Sequence, residues 1–303
     1  MRQGLGECLV GIGGWEHEIL DACFYPRQGG SSAQKLEFYA RYFDAAEVRA
    51  TFWDESINDA QAREWCRSVE AHRKFSFSVK LHAMFTHRRE FRPQATRNIR
   101  GVLQELSRAG KLGTLLAQMP YAFTNTSANR FHLVKIAEVF RGFPLHVELR
   151  HNSWNQPSAS SFLAENGICP VSADLPRINN FMPFLTRPFG TTAYLRFHGR
   201  NEKGWLVSAW DARYDYLYNG REMIELRRRT EGFVKQAEKT IVIFNNCTLG
   251  KAVANALQLR SALLEGARLP VPQAALKAFP HLAAIAGGDE PALFAHDAYK
   301  EAI

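Results

Sequence analysis

The chain has 303 residues, 46% hydrophobic and 22% charged, a balance that supports an ordinary globular core and excludes wholesale disorder. Its formal net charge of +8 and sequence pI of about 9.3 favour anionic partners, phosphate esters or nucleic acid, without separating the two. No apolar run approaches the roughly 20 residues that span a bilayer, and the opening MRQGLGECLVGIGG lacks the apolar segment of a secretory signal, so no membrane association and a cytoplasmic location are expected.

Eight short segments rich in apolar and β-branched residues follow one another: CLVGIG (8–13), AEVRATF (46–52), FSFSVKL (75–81), GTLLAQM (113–119), LHVELR (145–150), CPVSAD (169–174), AYLRFH (193–198) and TIVIFNN (240–246). Amphipathic stretches separate them, clearest in SAQKLEFYARYF, ATRNIRGVLQELSRA and GREMIELRRRTEGFVKQA. Strands alternating with helices imply parallel pairing, because each parallel crossover takes up a helix. Eight such units predict an α/β protein, a single (β/α)8 barrel of the TIM type over residues 1–265, since one such barrel can use this whole length. A doubly wound open sheet is the alternative, but GIGGW has no GxGxxG continuation after the first segment. Residues 266–303 hold four of the thirteen prolines and predict a C-terminal extension packed on the barrel or trailing from it. The five cysteines are odd in number, scattered and without a CxxC pair, which argues against a disulfide framework and a structural zinc site.

Barrels of this kind carry their sites at the C-terminal ends of the strands, and the polar residues there are informative. The first segment ends at Gly13, Gly14 and Trp15, and the second carries Glu47, Arg49 and Thr51 on alternate positions. The third ends in Lys80 and His82, and the fourth at Gln118. The fifth supplies Glu148 and Arg150, with His151 and Trp154 beyond it. The sixth supplies Asp174, the seventh Arg196 and His198, and the eighth Asn245 and Asn246. Three acids among apolar barrel layers need partners, since an unpaired buried charge costs several kcal/mol; Arg49, Lys80, Arg150 and Arg196 can supply them. Four bases against three acids suit an anionic ligand. The plainer alternative is a self-satisfied ion-pair network that only fills the barrel mouth.

His198 is placed for proton transfer, with Gly199 leaving space beside it. Trp15 and Trp154 can stack on a sugar or base, or serve as lids. Gly250 and Lys251 open a helix whose free amides can hold a phosphate. The long seventh loop, GRNEKGWLVSAWDARYDYLYNGRE, is rich in aromatic and basic residues, a composition that suits a cover over a ligand or a contact with single-stranded nucleic acid.

Several of these pieces, GIGGW with the following FYP (Phe24 to Pro26), AEVRATFW, FSVKLHAMFTH, AQMP, VELRHNSW, ADLP, YLRFHGR with RYDYLY, and FNNCTLGKAVANAL, resemble the YecE-like proteins of domain-of-unknown-function family 72. They run in order from about residue 10 to about residue 260. The resemblance implies a TIM-type barrel and brings no established activity. Two motifs depart from the family pattern: in the first, Ile12 stands where a small polar residue is usual, and in the second, Arg49 and Trp53 stand where asparagine and tyrosine are usual, the added arginine making this pocket more basic.

The expected function is an enzyme acting on a phosphorylated or nucleic-acid substrate. Glu148, Asp174 and His198 would do acid–base work, while Trp15, Glu47, Arg49, Lys80, Arg150, Trp154, Arg196, Asn245, Asn246 and Lys251 bind the substrate. A divalent metal on the carboxylates and histidine is less favoured, because the eighth strand offers asparagines and the arginines repel a cation; no metal ligand is assigned and the cofactor stays open. The alternative is a non-catalytic binding protein for an anionic metabolite or nucleic acid. Oligomeric state is not legible.

Overall fold

The computed structural model describes residues 6–26, 30–178, 180–207 and 212–287. Residues 208–211 of the seventh loop and 288–303 of the expected extension lie outside the described residues.

Among the described residues nine strands, every pair parallel, form one sheet: β1 (Glu7–Ile12), β2 (Ala45–Val48), β3 (Ser76–Lys80), β4 (Leu112–Gln118), β5 (Leu145–Glu148), β6 (Cys169–Pro170), β7 (Ser172–Asp174), β8 (Thr192–Phe197) and β9 (Lys239–Phe244). Their order is β6-β5-β4-β3-β2-β1-β9-β8-β7. Only Val171 separates β6 from β7. Pro170 has no N–H for the ladder, and the Val171 amide bonds the Val147 carbonyl at 2.9 Å. The sixth stave is thus one strand interrupted at its proline: its first half pairs with β5 and its second with β8, and the (β/α)8 barrel closes.

Around the barrel run α1 (Ile19–Cys23), α2 (Ser32–Ala40), α3 (Asp59–Ser68), α4 (Pro93–Arg108), α5 (Ser127–Val139), α6 (Pro157–Glu165), α7 (Glu202–Leu206), α8 (Gly220–Val234), α9 (Lys251–Leu263) and α10 (Gln273–Ala278). Local chemistry fixes their starts. Reciprocal capping boxes, Ser31 with Gln34, Asn58 with Gln61 and Asn219 with Glu222, satisfy the first amides of α2, α3 and α8, and prolines open α4 and α6. The apolar stripe of α4, Ile99, Val102, Leu103 and Leu106, is fully buried. The expected second strand ends early: Ala50–Phe52 form a single 3-10 turn that swings the chain across the mouth. Beyond α9, buried Ala275, Phe279 and Leu282 pack α10 and the turn after it against the outer core near α1.

Strand alternation creates two cores. Outward positions join the main core beneath the helices. Inward positions form a small separate one, with Leu9, Ala45, Leu116, Val171, Ala173, Tyr194, Ile241 and Ile243. Charge enters immediately above that inner apolar layer.

Candidate functional site

The first charged layer is centred on Arg196, fully buried on β8. Its Nε and Nη2 donate to the two carboxylate oxygens of Glu47 on β2, each at 2.8 Å, a bidentate clamp. Its Nη1 turns to Glu148 at the end of β5 and to Gln118 Oε1 on β4 at 3.1 Å. The Tyr194 hydroxyl donates to Glu47 Oε2 at 2.6 Å. Glu148 Oε1 accepts from Arg150 Nε at 2.7 Å, and its Oε2 lies 3.0 Å from His198 Nε2. The other ring nitrogen, Nδ1, is 2.9 Å from the Asn245 amide. One neutral tautomer satisfies both contacts: Nδ1 accepts from Asn245 and Nε2–H donates to Glu148.

The electrostatics follow from this geometry. Burial works to raise the carboxyls of Glu47 and Glu148, but Arg196 beside both, joined by Lys80 at Glu47 and by His198 and Arg150 at Glu148, holds them below the usual carboxylate range. Burial, against the pull of Glu148, brings His198 down to about 4, so its ring is neutral at physiological pH.

Above this layer opens a cavity of about 990 Å³, within the range of small-molecule sites. Arg49, Lys80, Arg150 and Arg213 line it against one acid among the described lining residues, Glu16, which already accepts from the Ser32 hydroxyl. Phe52, Trp53, Tyr121, Phe181, Trp205 and Tyr214 make its walls aromatic. The Arg150 guanidinium lies 5.1 Å over the Trp205 ring, a cation–π contact. Its Nη2 is buried without a hydrogen-bond partner among the described residues. Lys80 Nζ sits 4.0 Å over the Phe52 ring. Burial first, then the guanidiniums of Arg196, Arg49 and Arg150 working against Glu47, bring its pKa down to about 7. Arg49 donates to Gly13 O at 3.3 Å and lies 2.7 Å from His17 Nε2. Burial and Arg49 hold that imidazole at about 4.

The residues singled out in the sequence therefore divide. Trp15, Arg49, Lys80 and Arg150 line the cavity, although the Trp15 ring is itself buried edge-on against Trp65 and Phe77. Glu47, Glu148, Arg196, His198 and Asn245 form the sealed layer below.

Asp174 is brought to neither. It pairs in register with Phe197, an outer-core residue, whereas its neighbour Ala173 pairs with Arg196. Its carboxylate faces outward, where Arg200 clamps it at 2.8 Å to each oxygen, Tyr218 donates at 2.8 Å and Arg229 approaches to 3.3 Å. The trio of Glu148, Asp174 and His198 thus does not converge. Among the described residues, no three of His, Cys, Asp and Glu gather as a metal cluster, and none of the five cysteines lines the cavity.

Trp154 is a core residue, stacked on Phe123 with its indole N–H bonded to the Phe123 carbonyl at 2.8 Å. Asn246 clamps the seventh loop through the Tyr216 carbonyl and Asn255, and Lys251 is taken by Asp215. The space beside Gly199 is occupied by Tyr216, whose Cβ lies 2.5 Å from where a side chain would begin. Sequence reasoning left His17, Tyr194, Trp205 and Tyr214 without roles. Tyr194 was legible in principle, since it shares the inward parity of Arg196 two residues on. The loop aromatics were legible only as a composition.

The family described as "Protein of unknown function DUF72" matches residues 9–277, and the chain belongs to it, as its motifs suggested. The UPF0759 protein YunF of Bacillus subtilis is 28% identical over 273 residues, covering 84% of this chain and 94% of the relative. A DUF72 family protein from Thermotoga maritima superposes with a TM-score of 0.73 at 28% identity, covering 85% of this chain and 99% of its own. One from Enterococcus faecalis gives 0.72 at 26%, covering 85% and 95%. The shared architecture agrees with the (β/α)8 barrel. None of these names states a reaction or a substrate.

Proposed function

We propose that this DUF72 member is an enzyme that takes a small phosphorylated or carboxylated substrate into the barrel mouth. One observation carries the reading: above a charge layer that is already paired, the described cavity lining holds four bases against one acid, with donors of Arg150 and Lys80 left open. A buried donor without a partner, as Arg150 Nη2 is, is costly, and an anion arriving from solvent would satisfy it. The aromatic walls suit the apolar body of such a ligand. Glu148 and His198 act from beneath, fixing Arg150 and Arg196 in place. They do not line the cavity, so they support the site without serving as its acid and base.

The test is calorimetric titration with inorganic phosphate and glycerol 3-phosphate at low ionic strength, on the protein and on Arg150→Met and Arg49→Met. Loss of a charged hydrogen-bond donor removes about 1.5–3 kcal/mol, or roughly ten- to a hundredfold in affinity. Binding that both variants leave intact would sink the reading. A single-stranded oligonucleotide that binds with a steep salt dependence where phosphate does not would transfer the site to nucleic acid.

A further inference from the structure

We propose that Lys80 is a nucleophilic amine, which condenses with the carbonyl carbon of a small anionic aldehyde or ketone in the barrel-mouth cavity to form a protonated imine. The inference rests on the anion-binding reading above and adds the substrate class: a carbonyl compound bearing a carboxylate or phosphate.

Its first support is a contrast between the two lysines that are buried among the described residues. Lys111 donates to the carbonyls of His72 and Arg73. The side chain of Lys80, buried at the end of β3, makes neither an ion pair nor a hydrogen bond among the described residues; it is the Lys80 main-chain carbonyl that accepts from the Thr51 hydroxyl. Only an aromatic face meets its Nζ, and it lines the cavity. A surface ion-pair lysine or a structural clamp would not be left this way.

Its second support is the company it keeps. Arg49 and Arg150 line the same cavity and Arg196 lies below. An amine desolvated among other cations gives up its proton readily, a recognised way of activating a lysine nucleophile. With its pKa down at about 7, a large share of Lys80 is free base at neutral pH. The open Arg150 Nη2 offers a donor for the substrate's anionic group, which also offsets the positive charge that the imine retains.

The step balances without a redox partner. The nitrogen lone pair forms a C–N bond as the carbonyl π pair moves onto oxygen, which takes a proton to give a carbinolamine. That hydroxyl then leaves as water after a second protonation, and the nitrogen loses one of its own two protons. The sum is amine, carbonyl and one proton giving iminium and one water.

The experiment is reductive trapping with cyanoborohydride at neutral pH, using glyoxylate, glyceraldehyde 3-phosphate and neutral acetaldehyde as probes. Intact mass and peptide mapping would read the outcome. The expected result is one adduct, equal to the ligand mass less one oxygen, located on Lys80 and formed with the anionic probes in preference to acetaldehyde. Its yield should rise with pH through about 7, and Lys80→Met and Lys80→Arg should both lose it. Whichever anionic probe labels better separates a 2-oxo acid from a sugar phosphate as the natural source. Mapping on the unaltered protein needs no variant to fold. Adducts absent, or spread evenly over the lysines, while phosphate still binds calorimetrically would overturn the imine and spare the anion site. Failure of both would overturn both.

Discussion

Arg196→Met deletes the cation on which two fully buried carboxylates depend. Removing one partner of a buried ion pair costs about 3–5 kcal/mol, because the remaining charge stays desolvated. Against a total stability of about 5–15 kcal/mol, the variant is marginal at pH 7. With a urea slope of about 3 kcal/mol per molar for a domain of this size, the unfolding midpoint falls by about 1–1.7 M.

The deficit has a pH signature. In the unaltered protein the carboxyls of Glu47 and Glu148 are lowered, so their stabilisation is present above the ordinary carboxylate range and lost as pH falls through the folded values. Without Arg196, burial dominates and raises them, so the folded variant binds protons more readily than the unfolded chain and its deficit narrows between pH 7 and pH 5. Adding Glu47→Gln should recover part of the loss, since it leaves Glu148 matched one to one with Arg150. Urea denaturation followed by tryptophan fluorescence at both pH values measures all of this. A loss under about 1 kcal/mol, or one independent of pH, would refute the neutralisation argument.

Two further outcomes follow from the same layers. His198 sits at about 4 instead of its ordinary 6.5, so the unfolded chain protonates first and stability drains away as pH falls from about 6.5 to about 4, by about 3 kcal/mol for this group; nitrogen NMR showing the ring titrating near 6.5 would contradict it. Asp174→Asn weakens the clamp by Arg200 and Tyr218 and should cost about 1.5–3 kcal/mol of stability while leaving phosphate binding unchanged. Altered binding would return Asp174 to the site.

The eight staves were legible because apolar segments and amphipathic helices alternate with the periods their geometry demands. Pairs two residues apart, Glu148 with Arg150 and Arg196 with His198, were legible as sharing a face. Which face was not always so. Asp174 ends a segment, CPVSAD, that sets Cys169, Val171 and Ala173 on one side and Pro170, Ser172 and Asp174 on the other; both sides of a barrel strand are covered, so the segment alone does not mark which is inward, and the register with β8 decides it. Height along the barrel axis was hidden for a similar reason. Glu47 and Arg49 alternate in the sequence, yet Glu47, on β2, lies in the sealed layer, whereas Arg49 stands past the strand's end at the start of the Ala50–Phe52 turn and lines the cavity. Trp154 misled because its motif ends a strand at the right place, while its ring turns into the core against Phe123.

The division into layers bears on whether the charge is only filler. In the lower layer Arg196 meets both carboxylates, Arg150 Nε adds a second cation to Glu148, and the described acids and bases answer one another. A network that existed only to plug the barrel would end there, with apolar side chains above it. Instead Arg150 spends one nitrogen on Glu148 and leaves another open, Lys80 meets only a ring face, and both are held under a roof of aromatic side chains. Of the three positions that set this chain's motifs apart, Arg49 and Trp53 line that cavity, while Ile12 is buried in the outer core. The lower layer is best understood as a foundation: it fixes the cations above it without neutralising them.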